Sequence, residues 1–383
     1  MLITDSQTLA DFCSAISDAP YIAVDTEFMR ERTYYAQLCL VQVAYGDHAA
    51  AIDPLVEDLD LGPLRTLLLD EGIVKVLHSA TQDLEIFLQK TGAIPSPVFD
   101  TQIAASVCDL GDQPGYAKLV STLLGISIDK ASQATDWSRR PLSERQIEYA
   151  IGDVTHLCKV YELLLAQLKK TGRGPWVDDE MKGLLEPSRY TVDPDEAFRR
   201  VKIRRPKPRT LVVLRELARW REQMAIERNS PRGWIVKDEA MVEIAEHLPK
   251  GVEELARVRK LSAGTAKGPD GQAMLDAVQR GLAIPKEDWP SVPLKQPKAD
   301  QDTLIVLLQA LLTVRCEEHG VAPRLIANRA ELGQVAAGVR TDVRCLTGWR
   351  NTVFGEDAIG LIEGRLALTG HQGGVEIFDI APD

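Results

Sequence analysis

Apolar and polar positions along the chain fall into two regimes that meet near residue 200. Before it, short apolar runs alternate with helical patterns; after it, only helical periodicity remains. The first run, Tyr21-Ile22-Ala23-Val24, predicts a buried strand, and Leu38 to Val43 resumes a strand pattern after a short polar excursion, as a hairpin partner would. Ala49 to Asp53, closed by Pro54, predicts a third short strand, Val74 to His78 a fourth, and Val98 to Thr101 the end of a fifth. Helices are expected over 4–16, where Thr4-x-x-Gln7 reads as a capping box, over 61–69, from near Asp83 onward, over 102–108 and over 119–124. Strands with helices between them predict an α/β domain built on a mixed sheet.

The clearest helix runs from Ser143 to Leu168, capped by Ser143-x-x-Gln146 and striped by Ile147, Ala150, Val154, Leu157, Val160 and Leu164. Gly172-Arg173-Gly174-Pro175 is expected to stop it and to close a first domain over 1–195. A basic, proline-containing linker follows at 196–208, then a small all-α unit over 209–285, a second linker at 286–299 and another helical unit over 300–375. The sheet and its closing helix are complete by Leu168, so a fragment ending near Glu196 is expected to fold alone.

A length of 383 residues with 45% hydrophobic content gives each unit enough chain to bury a core. The N-terminus lacks the pattern of a secretory signal and no apolar run is long enough to span a bilayer, so no membrane partner is expected. Six scattered cysteines without a C-x-x-C pair predict neither disulfides nor a structural zinc site, and a reducing cytoplasm fits. A net charge of −11 argues against a nucleic-acid partner until its distribution is read: residues 199–237 hold thirteen bases against three acids, a local excess of +10. Such a run is either a solvated face or the footprint of phosphate binding.

Acids complete the picture. Asp25 and Glu27 stand two apart on the first strand, so both carboxylates share one face, where their repulsion calls for a compensating cation. Asp83 opens a helix after a strand, where backbone N–H groups favour an anion; Tyr149 and Asp153 stand four apart on the capped helix, on one face of it. Four acids at strand ends and helix faces of one domain are the inventory of a two-metal phosphoryl-transfer site, and carboxylates suit Mg²⁺ or Mn²⁺.

Asp25-Thr26-Glu27, the run from His78 to Leu84 that contains Asp83, and Tyr149-x-x-x-Asp153 resemble, in order and spacing, the motifs of the DEDDy-type 3′-to-5′ exonucleases. The longer strings around residues 25–42 and 135–157 resemble the RNA-degrading bacterial members of that group. Residues 205–285 are similar to an HRDC domain, a small helical nucleic-acid-binding unit, and 300–370 to a second, divergent one. The resemblance implies a ribonuclease H-like α/β exonuclease domain followed by two all-α units. It further implies an exoribonuclease that trims RNA 3′ ends, tRNA precursors foremost, and releases nucleoside 5′-monophosphates. Asp25 would bridge two ions, Glu27 and Asp153 would complete one site, Asp83 would hold the second ion and Tyr149 would orient water. Phe28, Tyr34 and Tyr35 are candidates to stack on terminal bases, with core packing as their alternative, and Arg30, Arg32, Arg139, Arg140, Arg204 and Arg205 to meet phosphates. His78 is expected to be a satisfied strand-end histidine and Trp137 to pack. A DNA exonuclease and a non-catalytic RNA-binding adaptor on a nuclease fold are the alternatives, and no obligate protein partner is expected.

Overall fold

The apolar runs of the first half assemble into one six-stranded mixed sheet in the order β1-β4-β3-β2-β5-β6. These are β1 (Leu2–Ile3), β2 (Tyr21–Met29), β3 (Gln37–Tyr45), β4 (His48–Ile52), β5 (Val74–Leu77) and β6 (Val98–Asp100). The structure, a computed structural model, describes residues 1–129, 135–204, 206–291 and 299–380. Strands β2, β3 and β4 form an antiparallel meander, while β1 joins β4, β5 joins β2 and β6 joins β5 in parallel. Between Glu27 and Phe28 the β2–β3 register slips by a bulge, which re-aims the chain just past the D-x-E pair.

Among the described residues this unit holds the helices α1 (Ser6–Ala15), α2 (Gly62–Leu69), α3 (Thr81–Thr91), α4 (Thr101–Val107), α5 (Tyr116–Leu124), α6 (Glu144–Thr171) and α7 (Gly174–Leu184). The expected box at Ser143 and Gln146 caps α6, which lies across β2, β3 and β4. Helix α1 is capped differently from the expectation: Asp5, not Thr4, accepts the Thr8 amide at 2.9 Å. Helix α7 was not expected at all. Pro175, read as part of a stop, occupies the first turn of α7, where its missing N–H costs nothing.

The second unit comprises α8 (Pro208–Glu227), α9 (Arg232–Ile235), α10 (Asp238–His247), α11 (Val252–Leu255), α12 (Ala263–Lys267) and α13 (Pro269–Ala283), around a core of its own. Helices α8 and α13 touch backbone to side chain: a Cβ at Gly281 would stand 2.8 Å from Val213 Cα, so only glycine fits.

The third unit, α14 (Ala299–His319), α15 (Pro323–Ile326), α16 (Arg329–Ala336), α17 (Gly348–Arg350) and α18 (Glu356–Ile362), ends in a β-hairpin of β7 (Leu366–His371) and β8 (Gly374–Asp379). The hairpin corrects the all-helical expectation for this region. Its helices fold back onto the first unit, and residues such as Leu308, Leu311 and Phe354 share one core with the sheet. Trp176 of α7 stacks on Trp349, with centroids 4.4 Å apart and planes 7° from parallel, and Arg350 pairs with Glu180. Arg173 donates to the carbonyls of Val107 at 2.8 Å and Gly320 at 2.9 Å, and the Ala322 amide donates to Ser106 O at 3.0 Å. A fragment ending near residue 196 would therefore expose an apolar face, contrary to the expectation of autonomous folding.

Candidate active site

Asp25 and Glu27 are carried by β2, on the sheet face that α6 covers; Tyr21 marks the same face, its ring 4.6 Å from that of Tyr161 on α6. Helix α6 brings Asp153 down onto them. Single carboxylate oxygens of Asp25, Glu27 and Asp153 lie within 4.8 Å of one another, close enough to ligate one cation. Asp83, in the first turn of α3, stands beside this trio and accepts a 2.5 Å hydrogen bond from the Thr26 hydroxyl. Asp100 sets the turn that places it: its carboxylate accepts the amides of Ser79 at 3.1 Å and Ala80 at 2.8 Å, and that of Gln102 at 2.8 Å to cap α4. The sequence reading missed Asp100, although an Asp-Thr pair ahead of a helix is an N-cap signal.

All five motif residues line one pocket of about 330 Å³, together with Phe28, His78, Gln102 and Tyr116. The Tyr149 hydroxyl is hydrogen-bonded to the Asp153 carboxylate one turn away, and Tyr116 donates to the Asp153 backbone carbonyl. Burial raises every carboxylate here, reinforced by the neighbouring acids at Asp25, Glu27 and Asp83 and opposed by the Tyr149 hydrogen bond at Asp153: Glu27 rises to about 9, Asp153 to about 7, and Asp25 and Asp83 stand far above the usual range. Among the described residues no lysine or arginine compensates them. A cluster of buried oxygen donors without a basic partner fits a divalent cation and fits little else.

The remaining candidates separate. Phe28 lines the pocket with the Arg30 guanidinium 5.7 Å from its ring centroid, and Arg30 pairs with Glu85 at 2.7 Å. Arg139 is 85% exposed at its side chain and meets only Asp136. Arg140 is not available to a phosphate: all five of its N–H donors are committed to Asp53 and to the carbonyls of Cys39, Trp137 and Arg139. Tyr34 is no free stacking surface either, because Arg232 lies over its ring at 4.6 Å and its hydroxyl donates to Glu222. With Arg232 bonded to both Glu222 oxygens and the Tyr35 amide to Asn229, this latch ties the β2–β3 loop to the second unit. Arg204 lines a cavity of about 1180 Å³ with Arg200, Lys202 and Lys237, whereas Arg205 lies outside the described residues. Among the described residues of the charged stretch, Arg199, Arg219, Arg221, Arg228 and Arg232 are paired with acids, so its field is weaker than the sequence suggested. His78 bonds Thr101 through Nδ1 at 3.0 Å, and Trp137 is buried as expected.

Comparison with known proteins agrees with this geometry. Residues 1–169 match the 3′-5′ exonuclease family and residues 210–278 the HRDC domain. Ribonuclease D of Sphingobium indicum is 48% identical over 375 residues, 97% of each chain, and that of Granulibacter bethesdensis 45% identical over 96% of this chain and 93% of its own. The crystal structure of Escherichia coli RNase D, an exoribonuclease involved in structured RNA processing, superposes with a TM-score of 0.84 at 32% identity, over 95% of this chain and 98% of that one. An acidic pocket between a D-x-E strand and a Tyr-x-x-x-Asp helix, and kinship along nearly the whole of both chains, place this chain in the ribonuclease D family, as a 3′-to-5′ exoribonuclease.

Proposed function

We propose that the enzyme trims the 3′ ends of tRNA precursors in the cytoplasm by two-metal hydrolysis, releasing nucleoside 5′-monophosphates. The approach of Asp25, Glu27 and Asp153 to within 4.8 Å of one another, with Asp83 and Tyr149 lining the same pocket, carries this reading. In it Asp25 would contribute to both metal sites, Glu27 and Asp153 would complete one of them, and Asp83, set aside by its bond to Thr26, would serve the other. Two ions, Mg²⁺ or Mn²⁺, would supply the positive charge that makes water nucleophilic and neutralises the phosphate. Tyr149 directs the attacking water. Burial and the Asp153 charge hold its hydroxyl above the ordinary tyrosine range, which supports orientation over proton abstraction as its role. Attack on the terminal phosphorus breaks the P–O3′ bond, and the shortened RNA keeps a 3′-hydroxyl for the next cycle. Phe28 can stack on the terminal base, and Arg139, Arg200, Lys202 and Arg204 can meet phosphates farther back.

The test is digestion of a 5′-labelled tRNA precursor and of the same sequence as DNA, each with Mg²⁺, with chelator and with a 3′-phosphate. A ladder on RNA that needs both metal and a free 3′-hydroxyl supports the reading. Cleavage in chelator would end the metal assignment, and equal turnover of DNA would end the assignment to tRNA.

A further inference from the structure

Gln42 lies beneath the active site, opposite Asp25. It lies in the run Leu38-Cys39-Leu40-Val41-Gln42-Val43-Ala44, is fully buried, and neither Nε2 nor Oε1 has a hydrogen-bond partner among the described residues. Leaving such a group unpaired costs about 1–3 kcal/mol, and a leucine or methionine would fill the space without that cost. A buried orphan in an otherwise regular strand points to a partner that comes and goes.

The register identifies the partner. Gln42 is paired directly with Asp25 across β2 and β3, and with Ala51 across β3 and β4. Residues directly opposite in an antiparallel pair project from the same face, with Cβ atoms roughly 5 Å apart. That face is the one beneath α6, where Leu40 and Ala51 pack with Ala150 and the Cys158 thiol meets Ala44 O. The Gln42 amide therefore sits under the helical turn that carries Asp153, within a side chain's reach of the Asp25 carboxylate.

We infer that Gln42 is a positioning residue for the hydrolysis: its Nε2 donates to the Asp25 carboxylate when Asp25 is held by divalent cations, and so fixes which of its oxygens faces them. Hydrogen bonds of this kind behind a ligand are typically worth about 10–100-fold in metal affinity or activity. The inference rests on Asp25 being a ligand, and the two are tested apart.

Gln42→Met keeps length and apolar volume while removing the donor. Its metal-free protein should melt at or above the wild-type temperature, because an orphan amide has gone. Its Mg²⁺ midpoint, followed by thermal shift without RNA, should weaken about tenfold, and kcat should fall by a similar factor with KM for RNA unchanged. A lowered melting temperature with an unaltered Mg²⁺ midpoint would mean that the amide serves only the fold through a buried water, and would overturn the inference. Should the variant not fold, selectively ¹⁵N-glutamine-labelled wild type gives the answer: titration with Mg²⁺ alone must shift one side-chain amide pair, absent from a Gln42→Asn spectrum, and a static pair overturns it. Asp25→Asn is the control. If that variant binds Mg²⁺ like wild type, the reading of the site fails; if it does not and Gln42→Met is silent, only this inference fails.

Discussion

Four carboxylates with raised affinity for protons make the active site a source of instability that metal relieves. A folded-state acid pKa above its ordinary value means that the native state binds the proton more tightly than the unfolded chain does. Its stabilising effect is complete below about pH 4 and is lost as pH rises through the folded value. With Glu27 at about 9 and Asp153 at about 7, the window is pH 5–9. Chelated protein should therefore melt at progressively lower temperature from pH 6 to pH 9, and the increment given by Mg²⁺ should grow over the same interval; a flat profile in scanning calorimetry would refute this. Alanine at Asp25, Glu27, Asp83 or Asp153 should cut the single-turnover rate by several orders of magnitude while RNA affinity largely survives. Tyr149→Phe should cost about 10²-fold in kcat with an unmoved Mg²⁺ midpoint, on the order of one positioning contact. A shifted midpoint would mean that its bond to Asp153 holds the ligand rather than the water. These five residues were legible in the sequence through their combined order and spacing, D-x-E on a strand, an Asp opening a helix and Tyr-x-x-x-Asp on a capped helix, and the structure brings them to one pocket. The roles of Gln42, Asp100 and Thr26 were not, since what singles them out is distant in sequence: Asp25 across the sheet for Gln42, the Ser79–Ala80 turn for Asp100 and Asp83 on α3 for Thr26.

At the scale of elements, periodicity and capping chemistry carried most of the information. Helix α6 was legible end to end, from the Ser143 box to the left-handed Gly172 that closes it. Helix α7 was lost because glycine and proline signal both a stop and a start, and only the docking of Trp176 and Glu180 chooses between them. Strand β5 hides another tertiary decision. Lys75, fully buried inside an apolar run, donates from Nζ to the carbonyls of Asp70 and Ile73 at 2.6 Å and Ser96 at 2.5 Å. It ties three loop carbonyls at the end of the strand that leads to Asp83. Lys75→Met would leave all three without it and should cost about 2–4 kcal/mol of unfolding free energy, measured by denaturant titration. A cost below 0.5 kcal/mol would show that water replaces the ammonium there.

On the scale of the whole molecule, the two helical units relate to the nuclease differently. The HRDC unit keeps a separate core and reaches the catalytic hairpin through the Tyr34, Glu222 and Arg232 latch. Tyr34→Phe removes the hydroxyl's two hydrogen bonds, one donated to Glu222 and one accepted from Arg232, about 1–3 kcal/mol. It should raise KM on a tRNA precursor and leave kcat on a dinucleotide unchanged; the same change in both would place Tyr34 at the reacting end of the RNA. The C-terminal unit instead completes the nuclease core, so a fragment ending at residue 196 should aggregate or bind apolar dyes, and a sharply melting monomer would contradict this. That shared core also orders events during synthesis. The surface around α4 and α7 is made early, but the helices that cover it leave the ribosome only after the HRDC unit has been made, on the order of ten to forty seconds later at bacterial elongation rates. In that interval the nascent nuclease carries an uncovered apolar surface beside a finished HRDC unit, which makes it a client for a chaperone rather than an enzyme awaiting its RNA.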